Sequence, residues 1–104
     1  MSKNEAQQIV LRYKKKLEEE QYPISAVYLF GSAVKGTINP WSDIDVAVVS
    51  RRVAENYDEG RFALWRFRRD VDLRIEPHCF SPEDWENDAD PMVYEIKKTG
   101  ERIA

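Results

Sequence analysis

The segment Asp43-Ile44-Asp45-Val46-Ala47-Val48-Val49 constrains this chain more than any other. Its β-branched apolar run reads as a buried strand. Residues two apart on a strand point to the same face, so Asp43 and Asp45 project side by side. Aspartate is disfavoured in strands, and two carboxylates held together repel. A fold that keeps them there either leaves both at a frayed strand start in water or compensates them with a cation. Hard carboxylate oxygens suit Mg²⁺.

The neighbouring segments supply partners for that strand. Ala26 to Phe30 is short, apolar and aromatic, which predicts a second buried strand running straight into Gly31-Ser32. A glycine at that point lets the backbone approach a phosphate, a helix starting there offers free N–H groups, and Ser32 adds a hydroxyl donor. Taken alone, a Gly-Ser pair is far more often an ordinary strand-ending turn. Gly36, Asn39, Pro40 and Ser42 mark residues 33–42 as a short helical turn followed by a loop. Residues 71–80 alternate in character and predict a third strand, with Asp72, Arg74 and Glu76 on one face and Leu73 and Ile75 on the other. If it lies beside the second strand, Asp72 or Glu76 completes a carboxylate triad. Arg74 then either neutralises one acid or contacts a triphosphate.

Helices fill the remainder. Ser2 and Glu5 fit a capping box, and Ala6, Ile9, Val10, Tyr13 and Leu17 make one apolar stripe, so a helix is expected over residues 2–20 with Pro23 closing it. Residues 51–69 predict a helix that Gly60 interrupts. Ser81-Pro82-Glu83-Asp84 opens another, and residues 91–98 form a last one stopped by Gly100. The expected class is α+β, a small mixed sheet of three or four strands with helices packed on one side. At 104 residues the chain suits a single domain over 1–104.

Composition narrows the chemistry. Cys79 and His78 are the only residues of their kinds, which makes a zinc-cysteine site, a His-rich metal site or a Ser-His-Asp triad poor expectations. His78 reads as structural or exposed rather than catalytic, and Cys79 as a small core residue. No apolar run is long enough to cross a bilayer. The N-terminal residues carry no basic-then-apolar signal pattern, so cytoplasmic residence is the expectation. A net charge of −3 argues against a non-specific nucleic-acid binder. The arginines nevertheless crowd into one stretch, from Arg51 to Arg74. That stretch is either a solvated helix face or a docking surface for phosphate or an acidic partner. Arginines 61–69 with Trp41, Trp65 and Trp85 are the candidate protein-docking features, Trp41 standing two residues before Asp43.

The run FGSAVKGTINPWSDIDVAVV resembles the signature of the polymerase-β-like nucleotidyltransferase superfamily: Gly-Ser, ten residues, then Asp-x-Asp on a strand. The resemblance implies that Gly31, Ser32 and Lys35 bind the phosphates of a nucleoside triphosphate such as ATP. It implies that Asp43 and Asp45 bind Mg²⁺, and that Asp72, in Val-Asp-Leu at 71–73, is the third carboxylate, catalytic and metal-binding. Ala33 departs from the basic residue that minimal members often carry there. The shortness of the chain resembles the minimal nucleotidyltransferases, which implies a helical HEPN-type toxin as partner and transfer of AMP to a hydroxyl of that protein. A small-molecule acceptor such as an aminoglycoside, a homodimer that builds its pocket, and a purely binding antitoxin are the alternatives.

Overall fold

The computed structural model describes residues 2–35 and 43–104. In chain order the elements are α1 (Lys3–Glu19), β1 (Ala26–Phe30), α2 (Ser32–Lys35), β2 (Ile44–Val49), α3 (Arg51–Glu55), α4 (Tyr57–Arg68), β3 (Ile75–Phe80), α5 (Pro82–Trp85), α6 (Pro91–Thr99) and β4 (Glu101–Arg102). The four strands form one mixed sheet in the order β3-β2-β1-β4. β1 runs antiparallel to both β2 and β4, while β2 and β3 are parallel. The parallel pair needs a crossover, and α3 and α4 supply it.

Strand alternation sorts the side chains into two cores. Val27 and Leu29 of β1, Ile44, Val46 and Val48 of β2, and Ile75 of β3 meet the stripe Ala6, Ile9, Val10, Tyr13 and Leu17 of α1 and Ala63, Leu64 and Phe67 of α4. Tyr13 brings a hydroxyl into this core and donates it to the Leu64 carbonyl at 2.8 Å, so the polar group is not left bare. Burial pushes that phenol far above its ordinary range. The opposite face carries a smaller core of Ala26, Ala47, Val49 and Phe80 against Trp85 of α5 and Val93 and Ile96 of α6. The two longest helices do pack on one side, as expected. The short α5 and α6 add cover on the other side, because Trp85, Val93 and Ile96 need a face to bury against.

Two boundaries differ from the sequence reading for clear local reasons. The helical stretch 51–69 breaks at Asn56, not at Gly60. Asn56 adopts an extended conformation and its side chain accepts from the Glu59 N–H, capping α4. Gly60 lies within α4, where an added Cβ would sit 3.1 Å from the Val53 Cα and 3.2 Å from the Arg52 carbonyl. Its bareness therefore serves the close packing of α3 on α4. The third strand starts at Ile75 rather than at 71. Residues 69–74 form turns in which the Asp70, Val71 and Asp72 N–H groups bond back to the end of α4. The expected caps are present elsewhere: Ser2 accepts from Glu5, and Ser81 and Asp84 cap each other reciprocally at α5.

Candidate active site

β2 and β3 are in parallel register with Asp45 beside Glu76 and Ala47 beside His78. β1 places Phe30 opposite Asp45. These residues lie on the face that carries α5 and α6, but at the end those helices leave open. Asp45, Glu76 and His78 each present a donor atom, all within 4.8 Å of one another. His78 Nε2 stands 3.3 Å from Asp45 Oδ1 and 3.9 Å from Glu76 Oε1. The Phe30 ring meets the imidazole edge-on, with centroids 5.1 Å apart.

Asp43 joins the same group from the exposed approach to β2. The Glu76 carboxyl is pushed above its usual range by burial first, then by its hydrogen bond with Asp43 and by the charges of Asp45 and Asp43, with His78 opposing. Crowded acids of this kind behave as a unit that gains from a shared positive charge. Gly31 closes the other side. It holds φ +74°, in the left-handed region that favours glycine, and a Cβ there would fall on the Asp45 carboxylate. The missing side chain makes room for the Asp45 carboxylate to lie against the backbone. Oxygen and nitrogen donors converging from two strands fit a divalent cation. Ser32 begins α2 directly after Gly31, and Lys35 ends it.

The sequence-predicted residues are thus only partly assembled. Asp43 and Asp45 both act on Glu76, and Asp45 and Glu76 cluster with His78. Asp72 is placed in the turn before β3 and is tied to Arg74. It accepts from the Arg74 backbone N–H at 2.9 Å, from Nε at 2.9 Å and from Nη2 at 2.7 Å. Those bonds hold its carboxyl below the usual range and neutralise it locally. The alternation that put Asp72 with Glu76 assumed a strand through residue 72, and the strand does not reach it. His78 is the residue sequence reasoning set aside. Its spacing from Glu76, two positions on one strand, was the available signal. Trp41 and the loop 36–42 lie outside the described residues, as does the Lys35 side chain.

A cleft of about 350 Å³ opens beside the acids along β3, which is an edge strand. β3 residues Glu76 to Phe80 form one wall, and Tyr57, Arg61 and Trp65 of α4 with Met92 of α6 face them. Trp65 is half-buried under the guanidinium groups of Arg61 and Arg68. Trp85 is core, packed on Tyr28 and Phe80, and is not available for docking. Cys79 is half-buried against the larger core.

Residues 10–98 match the sequence profile of the nucleotidyltransferase domain. The chain belongs to the nucleotidyltransferase domain family. It is an enzyme of the transferase class, and the family uses a metal ion and a nucleoside triphosphate. A matching solved structure is from Sulfolobus solfataricus, a protein itself only provisionally named a nucleotidyltransferase. It superposes with a TM-score of 0.56 at 24% identity, over 83% of this chain and 79% of that one. At that identity the likeness speaks for the fold alone, and the fold is that of the polymerase-β-like transferases. No curated protein matches the chain. Among the described residues no helix is long and apolar enough to cross a membrane.

Proposed function

We propose that this nucleotidyltransferase moves a nucleoside monophosphate, AMP from ATP, onto a hydroxyl of a partner protein, with Glu76 rather than Asp72 as the third acid. The observation that carries the reading is the pairing of Asp45 with Glu76 across β2 and β3, with the Asp45 carboxylate lying against Gly31. Asp43, Asp45 and Glu76 would hold Mg²⁺ or a related cation. When bound, that ion supplies neutralisation of the charge that builds on the phosphoryl oxygens. Gly31 admits the triphosphate close to the backbone, and the Ser32 hydroxyl donates to a phosphate oxygen. Glu76 accepts the proton of the acceptor hydroxyl. The acceptor oxygen bonds to the α-phosphorus, the bond from that phosphorus to the bridging oxygen breaks, and pyrophosphate leaves.

The acceptor enters along the cleft beside β3. Its walls combine Arg61 with Tyr57, Trp65 and Met92, the residue types that anchor protein contacts. The Trp65 indole N–H is buried without a hydrogen-bond partner among the described residues. This surface suits a protein segment, which agrees with the minimal nucleotidyltransferase resemblance and its HEPN-type partner. Incubation with α-labelled ATP, a divalent cation and a HEPN-type protein encoded beside it should label that protein. Label in a small molecule of a cell extract, with no labelled protein band, would sink the protein-acceptor reading.

A further inference from the structure

The acids of this site are accompanied by an imidazole, and that changes which cation the site selects. Resting on the reading of Asp45 and Glu76 as cation ligands, we infer that His78 is itself a ligand, so that the site prefers first-row transition ions such as Mn²⁺, Co²⁺ or Zn²⁺ over Mg²⁺. Two observations converge. Asp45, Glu76 and His78 offer two oxygens and one nitrogen within 4.8 Å of one another. The separations from His78 Nε2, 3.3 Å to Asp45 and 3.9 Å to Glu76, suit a common ion. Two donors each about 2.1 Å from one ion stand about 3.0 Å apart at octahedral angles and about 3.4 Å apart at tetrahedral ones. The Asp45–His78 separation therefore lies within the range for a shared ion, and the Glu76 side chain must close by about half an ångström.

The surroundings hold the ring in position. Phe30 packs edge-on against it, and its cross-strand neighbour is the fully buried Ala47, too small to push it away. The side chain keeps 28% exposure, so it can be reached from solvent. The physical consequence follows from ligand type. Mg²⁺ favours oxygen donors in a near-ideal octahedron, whereas imidazole nitrogen adds affinity in the order Mn²⁺ < Fe²⁺ < Co²⁺ < Ni²⁺ < Cu²⁺. The competing role for His78 is that of a cation substitute, its protonated ring pairing with Asp45. These roles make opposite forecasts, because a substitute competes with the ion and a ligand binds it.

His78 is the only histidine, so the intact protein gives one imidazole signal pair. Titration of ¹⁵N-labelled protein with Zn²⁺ should shift the Nε2 resonance strongly, while Mg²⁺ leaves it near its free position. Calorimetry should then find that His78→Gln weakens Co²⁺ and Zn²⁺ binding by about tenfold or more and changes Mg²⁺ binding by less than about threefold. Asp45→Asn should weaken all three. If Zn²⁺ and Mg²⁺ both bind but Nε2 does not move, or if His78→Gln tightens every cation, His78 is not a ligand and the acidic site stands. If the unaltered protein binds no divalent cation, the reading of the acids falls with it.

Discussion

The two faces of the sheet are built from the same strands and obey different rules. On the face toward α1 and α4, the β1 and β2 positions Val27, Leu29, Ile44, Val46 and Val48 are apolar and fully covered. On the other face, the end near α5 and α6 is apolar, and the end beyond them carries Asp45, Glu76 and His78. A strand that must bury one face continuously can still alternate acids onto the other at no cost to the core. β2 does this within six residues. The burial of Ile44 and Val46 sets the register, and that register delivers Asp45 beside Glu76. The larger core thus positions the site without contributing chemistry, whereas the acids contribute chemistry and, as crowded like charges, no stability.

Substitutions that separate the faces should separate binding from stability. The largest effect is expected from Asp43→Asn with Asp45→Asn. Cation-dependent triphosphate binding should fall by more than about a hundredfold, while the melting temperature holds or rises as repulsion is relieved. Calorimetry and thermal unfolding of the same sample would test both halves. An unchanged cation-dependent affinity would remove the site from this end of the sheet.

The converse change lies behind the sheet. Leu64 is fully buried on α4 within the larger core. Leu64→Ala should cost about 3 kcal/mol of unfolding free energy, from lost burial and the cavity left behind. Affinity per folded molecule should stay within about twofold, because the cavity is on the face the ligands do not touch. Denaturant titration beside nucleotide binding would measure this. A large loss of affinity in fully folded protein would mean that the faces are coupled.

Gly31→Ala tests the boundary between the two regimes. It strains a φ of +74° and puts a methyl group on the Asp45 carboxylate. A stability loss of about 1–2 kcal/mol is expected from the backbone alone. Triphosphate binding should weaken by at least about tenfold, since the carboxylate must move. A variant that lost stability but bound normally would show that Gly31 serves only the turn.

How far the sequence reveals this arrangement depends on which residues carry each part. The class, the mixed sheet and most elements follow from local signals, such as the Ser2 and Ser81 caps and the apolar runs of β1 and β2. Asp43, Asp45 and Gly31 are legible because an acid in a strand and a glycine at its end are both conspicuous. Glu76 and His78 are not singled out that way. Their place is set by the start of β3, and a turn built by Asp72 and Arg74 moves that start to Ile75. An alternating pattern continues through residues 71–80 and gives no sign of where pairing begins. The break at Asn56 is hidden for a similar reason, since Gly60 is the weaker helix former but the tertiary contact with α3 keeps it helical.

The smallest effect is expected at Asp72, and it distinguishes the two acids of that stretch. Asp72 is mostly buried, and its carboxylate takes one backbone and two guanidinium hydrogen bonds from Arg74. Asp72→Asn should therefore cost about 1 kcal/mol at neutral pH, the scale of hydrogen bonds to a charged group offset by the remaining amide contacts. The bonds hold the folded carboxyl below its ordinary value, so the stabilisation is complete above the unfolded aspartate range near pH 4 and disappears as the pH falls through the lower folded value. The stability gap between the variant and the unaltered protein should accordingly close in acid. Pyrophosphate release should stay within about threefold of the unaltered rate for Asp72→Asn and drop by about a hundredfold or more for Glu76→Gln, because only Glu76 stands with Asp43 and Asp45. Paired unfolding curves at neutral and acid pH, with turnover measured at neutral pH, would decide the assignment. A dead Asp72→Asn beside a working Glu76→Gln would return the third-acid role to the turn.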